Sequence, residues 1–91
     1  MKVMREVVVE ILEQANGPMA FSAIWEKTQS ELSSNWIDSA KFLKSKMGEL
    51  YTMLTTNGEF VKDNDDNWSL TKNYTFSEVQ KMKINAGELD D

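Results

Sequence analysis

Apolar residues recur at helical spacing in the first half of the chain, and this pattern predicts three helices. The first covers residues 2–16, where one face carries Met4, Val8, Ile11, Leu12 and Ala15. Glutamates occupy the opposite face, at Glu6, Glu10 and Glu13. Asn16-Gly17-Pro18 should end this helix, because a left-handed cap residue is followed by a proline that cannot continue it.

The second and third helices are predicted over residues 22–33 and 36–56, with the Ser22 hydroxyl capping the second. Ser33-Ser34-Asn35 separates the two helices. One face of the third helix carries an apolar stripe that we expect to be buried, made of Trp36, Ala40, Leu43, Met47, Leu50, Tyr51 and Leu54.

The apolar period changes from helical to alternating at Asn57-Gly58, which we expect to supply the positive φ that ends the third helix. A β-hairpin is predicted near 59–70, with strands at 59–62 and 68–70 around a polar loop. The predicted fold is α+β, a three-helix core with a small β-hairpin, which is the winged-helix order. We expect one core made of Trp25, Leu50, Tyr51, Leu54, Phe60 and Trp68.

Residues 75–91 are predicted to form a tail after a folded domain at 1–74. Thr75-Phe76-Ser77-Glu78 matches a capping box, in which the hydroxyl and the carboxylate each accept a hydrogen bond from the other residue's backbone N–H. This motif predicts a short helix through about Met82. The end of the tail is acidic.

The composition removes most catalytic and metal-binding chemistry. The 91 residues contain no Cys and no His, so thiolate chemistry and the usual side chain for acid–base catalysis near neutral pH are both missing. The stretch DNDDNW at 63–68 does not fit a calcium loop, because Trp68 and Tyr74 stand where that loop needs Gly and Glu. We therefore expect a protein that is not an enzyme, with no catalytic, cofactor-binding or metal-binding residues.

A formal net charge of −5 weighs against binding to duplex DNA. The predicted third helix carries Lys41, Lys44 and Lys46, but the predicted wing carries Asp63, Asp65 and Asp66. A wing that follows phosphates should not be acidic, so we expect weak or no direct DNA binding. A DNA-binding winged-helix transcriptional regulator is the alternative. No segment matches a signal peptide or a membrane span, which favours a cytoplasmic location without membrane association.

Two large apolar residues on the third helix, Phe42 and Met53, fall away from the predicted buried stripe, with Lys46 and Glu49 between them. Large apolar groups on an otherwise polar face are typical of protein contacts, so these four residues are the predicted partner-binding set. The competing interpretation is that the helix breaks near Lys41 and Phe42 turns inward.

Three motifs resemble those of the amino-terminal domain of the bacterial RNA polymerase delta subunit, of the HARE-HTH family. They are Pro18-x-x-Phe21, Tyr51-Thr52-x-Leu54-x-x-x-Gly58-x-Phe60, and Trp68-x-Leu70 with Tyr74 after it, and the resemblance covers roughly residues 1–74. Ser69 and Thr71 depart from the family pattern, which usually has Gly and Arg beside this Trp.

The resemblance implies an accessory subunit that docks on core RNA polymerase through its folded domain and modulates transcription. Its family members also carry a long acidic tail that competes with nucleic acid. RNA polymerase core is therefore the expected partner, and we expect the domain to be a monomer.

Overall fold

The computed structural model describes residues 3–32, 36 and 39–85. Within these residues the chain forms four α-helices and a three-stranded antiparallel sheet. The elements, in chain order, are α1 (Met4–Ala15), β1 (Met19–Ala20), α2 (Phe21–Leu32), α3 (Ala40–Thr56), β2 (Phe60–Lys62), β3 (Asn67–Leu70), a 3₁₀ turn (Thr71–Asn73) and α4 (Phe76–Asn85). This α+β architecture is that of a winged-helix domain and confirms the predicted fold class.

The first helix ends as the sequence predicts. Asn16 adopts the left-handed conformation, with φ 57° and ψ 29°, and closes the C-terminus of α1. The helix buries Val7, Val8, Ile11 and Leu12. Ala15, which was expected on the buried face, is exposed, because the last turn of α1 extends past the core.

The link between α1 and α2 contains a strand that the sequence pattern did not predict. β1 pairs with β3 in antiparallel register, with Met19 opposite Trp68 and Ala20 opposite Asn67. Two residues are too few to show an alternating pattern, and their partners lie far along the chain. After β1 the helix α2 starts at once at Phe21, so Ser22 lies within the first turn and the prediction that it caps the helix is wrong.

The third helix begins four residues later than predicted. Ser39 caps α3, since its Oγ accepts a hydrogen bond from the backbone N–H of Phe42 at 3.1 Å. Trp36 therefore lies outside the helix and stacks on Trp25, with ring centroids 5.8 Å apart. Residues 33–35, where the break between helices was predicted, lie outside the described residues.

The buried face of α3 also differs from the predicted stripe. Leu50 and Leu54 are buried as expected, but Met47 is 40% exposed and Tyr51 is 51% exposed. Both predictions of burial were wrong because Leu50 and Leu54 fit two overlapping stripes. The side of α3 that turns toward the core adds Met53 instead.

Asn57-Gly58 ends α3 by a different mechanism from the predicted one. Asn57 has φ −94° and ψ 124°, which is extended backbone, so the expected positive φ is absent from this residue. Its backbone N–H donates to the Met53 carbonyl, and its side-chain Oδ1 accepts the N–H of Glu59, each at 3.0 Å. The asparagine side chain thus stabilises the turn without a left-handed residue.

The inner face of the sheet closes the helical core. The strand order is β1-β3-β2, and Phe60 lies opposite Leu70 while Lys62 lies opposite Trp68. The core cluster contains Val8, Leu12, Ile24, Leu50, Leu54, Phe60, Trp68 and Leu70, with Trp25 partly buried against it. All predicted core residues except Tyr51 therefore belong to or pack on this core.

The outer face of the sheet is covered as well. Val61 and Ser69 face each other in register and are both buried, and α4 packs against β2 and buries Val79. The Tyr74 hydroxyl contacts the Ser69 Oγ at 3.1 Å. The alternation predicted for β2 is lost, because helix α4 makes the second face of the hairpin an interior surface.

The capping box at the start of α4 is confirmed. The Thr75 backbone N–H donates to Glu78 Oε1 at 2.8 Å, and the Glu78 N–H donates to Thr75 Oγ1 at 3.2 Å. The Thr75 backbone hydrogen bond, followed by its hydroxyl, lowers the pKa of Glu78 below its ordinary value of 4.5. The helix continues to Asn85, beyond the predicted end near Met82. The division into 1–74 and 75–91 stays a prediction, and the acidic end at 86–91 lies outside the described residues.

Candidate docking surface on the third helix

The predicted partner-binding set lies on α3, and two of its residues belong to an aromatic group that we call the Phe42 cluster: Trp25, Trp36, Phe42 and Lys46. The Phe42 ring meets the Trp36 ring edge to face, with centroids 6.3 Å apart. Lys46 Nζ lies 5.4 Å from the centroid of the Phe42 ring, which is a cation–π distance. The cluster holds Trp36, from the connection between helices, against α2 and the start of α3.

Glu49 and Met53 complete the predicted set but have different surroundings. Glu49 is exposed, and its Oε2 lies 3.2 Å from Lys46 Nζ in an ion pair. Met53 is half-buried and packs on the main core. Phe42, Lys46 and Met53 are therefore already engaged by their own chain, although Phe42 is neither fully buried nor past a helix break. Their role in binding a partner stays a prediction.

The opposite side of α3 carries the more exposed apolar surface. We define the Met47–Tyr51 face as Lys41, Lys44, Met47, Gly48 and Tyr51, which spread over about 120° of the helix circumference at 3.6 residues per turn. The Tyr51 ring packs on Phe21 at the start of α2, with centroids 5.7 Å apart and a 36° tilt between the rings. Phe21 in turn packs against the main core. Tyr51 is therefore held in place while about half of its surface faces solvent.

The charges of the Met47–Tyr51 face have one sign. Lys41 and Lys44 are both exposed. Within residues 3–32, 36 and 39–85, neither lysine takes part in an ion pair. The only carboxylate of α3 is Glu49, which lies about 160° around the helix from Met47 and is paired with Lys46. This face is therefore apolar at one edge and cationic at the other.

The hairpin turn is acidic and tightly ordered. Asp63 Oδ1 accepts the backbone N–H groups of Asp65 and Asn67 at 2.8 and 3.0 Å. Asp66 has a φ of 62° and pairs with Lys62 at 3.5 Å. The carboxylate of Asp63 is thus used to build the turn, and the turn brings further negative charge to the wing.

Two ion pairs connect the N-terminal helix to the sheet region. The Arg5 guanidinium donates to both oxygens of Glu59 at 2.9 and 2.8 Å, and Lys72 Nζ lies 3.0 Å from Glu13 Oε2. All four side chains are largely exposed, so each pair contributes about 1 kcal/mol or less. Part of the acidic face of α1 is therefore neutralised by the hairpin side of the domain.

Metal binding and membrane insertion have no structural support in the part of the chain that the structure describes. No group of three or more carboxylates there is arranged to hold a metal ion. None of the helices there is both long enough and apolar enough to cross a membrane.

The fold and the sequence together define the class. The model of the HARE-HTH family, described as an HTH domain of ASXL and restriction endonuclease proteins among others, matches residues 2–72. The chain therefore belongs to the HARE-HTH family, which confirms the family that the three motifs predicted.

Two curated relatives resemble nearly the whole chain. A "Probable DNA-directed RNA polymerase subunit delta" from Pediococcus pentosaceus is 27% identical over 88 residues, which are 97% of this chain and 47% of the relative. A protein of the same description from Lactococcus lactis subsp. cremoris is 30% identical over 88 residues, which are 97% of this chain and 45% of the relative. The chain thus spans about half the length of the curated relatives it matches. No solved structure matches it.

Met47 and Tyr51 are surface residues that the sequence pattern did not reveal. Both fit the apolar stripe of a core helix, and no polar residue interrupts that stripe to indicate its exposure. The one available signal was Phe21, the aromatic residue after Pro18, which supplies the ring that Tyr51 packs on.

Proposed function

We propose that this chain is a delta-like accessory protein of RNA polymerase, which docks on the core enzyme through its folded domain and modulates transcription. The observation that carries the proposal is the similarity to delta subunits along 97% of the chain. It extends past the winged-helix core into α4, so the relatives share more with this chain than a common helix-turn-helix. The same proposal makes the protein a cytoplasmic, non-catalytic monomer.

The charge distribution supports a protein partner over a nucleic acid. The net charge is −5, and the wing turn carries Asp65 and Asp66 on its exposed surface. A winged-helix protein that grips duplex DNA usually places its third helix in the major groove. An acidic turn on the adjacent hairpin opposes contact with the phosphates beside that groove.

The direct test is a binding titration of the 91-residue chain with purified core RNA polymerase from the bacterium that encodes it. We expect saturable binding at physiological salt, together with a change in transcript yield when the chain is added to a transcription reaction on a supercoiled template. A chain carrying Leu54→Ala, which removes a core side chain, controls for the need for a folded domain. Lack of binding by the folded parent, even at low salt, would contradict the proposal.

A DNA-binding regulator is the second candidate, and Lys41 and Lys44 are the observation that favours it. Both are exposed on the helix that winged-helix proteins use to read DNA. Phosphate contacts by a few lysines produce affinity that falls steeply with salt. Tight and steeply salt-dependent binding of a random-sequence duplex by the isolated chain would favour this candidate over the polymerase.

A further inference from the structure

We propose that the Met47–Tyr51 face of α3 is the docking surface for a protein segment that presents an apolar side chain flanked by carboxylates. The identity of the partner as core RNA polymerase rests on the proposed function. The surface itself is inferred from the exposure, packing and charge of the residues that form it.

The apolar edge of the face is exposed and pre-organised. Met47 and Tyr51 lie one turn apart on α3 and are 40% and 51% exposed. The contact with Phe21 fixes the Tyr51 ring, so little rotamer freedom remains to be lost when a partner packs on it. A tyrosine held in this way is typical of the few residues that dominate the energy of protein interfaces.

The cationic edge selects the chemistry of the partner. Lys41 and Lys44 have no carboxylate partner in the described part of the chain, whereas Lys46, Lys62 and Lys72 are each paired within the domain. Charge complementarity therefore calls for carboxylates on the docking segment, placed beside the apolar group that covers Met47 and Tyr51. Such rim charges mainly steer association and fix the register of the complex.

Gly48 leaves the middle of this face open. A Cβ built at Gly48 would meet nothing within 4 Å, so no packing within the described chain requires a glycine there. The residue nevertheless costs α3 roughly 0.5–1 kcal/mol relative to alanine. An approaching backbone that needs this space is consistent with the surface, although the apolar and cationic residues carry the inference.

A protein segment fits this surface better than a DNA duplex does. The edge of a duplex is lined with phosphates, which would satisfy Lys41 and Lys44 but would leave Met47 and Tyr51 without an apolar partner. Docking of α3 on DNA would also bring the carboxylates of the wing turn toward the backbone phosphates. A protein segment can meet both edges of the face at once.

The test compares paired variants of the whole 91-residue chain in a fluorescence-anisotropy titration with core RNA polymerase. One variant removes the apolar edge, Met47→Ser plus Tyr51→Ser, and a second reverses the cationic edge, Lys41→Glu plus Lys44→Glu. The matched control is Phe76→Ser plus Ile84→Ser, which removes two other exposed apolar side chains, on α4. A fourth variant, Phe42→Ser plus Lys46→Ala, probes the Phe42 cluster. Circular dichroism and urea midpoints establish that each variant is folded.

We expect both variants of the Met47–Tyr51 face to weaken polymerase binding about tenfold or more, while the α4 control stays within about threefold of the parent. If the parent binds and the two face variants bind equally well, the surface is wrong and the proposed function stands. A loss confined to the Phe42-cluster variant would also overturn the surface and would place the contact on that cluster. If the folded parent does not bind polymerase, the proposed function itself fails.

The same four variants titrated with a random-sequence duplex decide between the two kinds of occupant. We expect weak duplex binding that the Met47→Ser plus Tyr51→Ser variant does not alter. A face variant that loses duplex binding but keeps polymerase binding would assign the surface to nucleic acid and overturn a protein occupant.

Discussion

The two sides of α3 are similar in sequence and opposite in structure. Leu50 and Leu54 are almost completely buried, while Met47 and Tyr51, each three positions before one of these leucines, keep 40% and 51% of their surface exposed. All four residues are large and mostly apolar, so hydrophobicity alone does not assign them to core or surface. The difference is set by the rotation of α3 about its axis, which the sheet and α2 determine. The exposed pair therefore needs a reason other than folding.

The largest effect should come from the buried side. Leu54→Ala removes a side chain that is 1% exposed at the centre of the main core, and we expect it to lower the free energy of unfolding by about 2–5 kcal/mol. Met47→Ala, on the other side of the same helix, serves as the matched control and should lower it by less than about 1 kcal/mol. Urea denaturation followed by tryptophan fluorescence measures both. Equal losses for the two variants would abolish the distinction between the two sides.

The next effect tests whether α4 is an integral part of the fold. Thr75→Ala removes the hydroxyl that caps α4 and should cost about 1 kcal/mol. Because α4 covers the outer face of the hairpin, the backbone amide of Val79 should exchange its hydrogen faster in this variant. Ser77→Ala, two residues further along, removes an exposed hydroxyl and controls for the substitution itself. Unchanged exchange at Val79 in Thr75→Ala would contradict the role of the cap.

A smaller effect in the opposite direction is expected on the exposed side. Gly48→Ala should raise the free energy of unfolding by about 0.5–1 kcal/mol, because a new Cβ meets no neighbour and alanine is the better helix former. Ser45→Ala, on an exposed position one turn earlier, should give a smaller gain because serine is a better helix former than glycine. Thermal melts of the two variants make the comparison. A destabilised Gly48→Ala would show that this position is crowded in the folded chain.

The smallest effect concerns pH and again separates α4 from the main core. The pKa of Glu78 is lowered by its hydrogen bonds to Thr75, so its carboxylate favours the folded state. This contribution is fully present above the ordinary pKa of 4.5 and is lost as the pH falls through the lower folded-state value. The stability difference between the parent and Glu78→Gln should therefore shrink as the solution is acidified below pH 4.5. A difference that persists unchanged in acid would contradict the capping role of the carboxylate.

Local sequence signals predicted those parts of the fold that depend on local chemistry. Asn16 ends α1 and the Thr75–Glu78 capping box starts α4 as expected, since each motif depends on residues within one turn of it. The order of helices and hairpin followed from the change in apolar period. The family resemblance rested on motifs within residues 1–74 and was correct.

Long-range packing decided what the sequence pattern could not. β1 exists because Met19 and Ala20 meet β3, some 48 residues later in the chain. Val61 is buried because α4 folds back over β2. The phase of α3 was ambiguous for the same reason, because its apolar residues allow two overlapping stripes. The predicted contact set, which includes Phe42 and Met53, followed from the stripe that the fold does not use.

The rotation of α3 can be measured directly with the two methionines that the competing stripes exchange. Methyl-labelled protein is titrated with a soluble paramagnetic probe, and relaxation enhancement is compared for the methyl groups of Met47 and Met53. We predict strong enhancement at Met47, which is 40% exposed, and weaker enhancement at Met53, which packs against the core. The reverse order would place Met47 in the core and Met53 on the surface, and would contradict both the packing of α3 and the docking surface inferred from it.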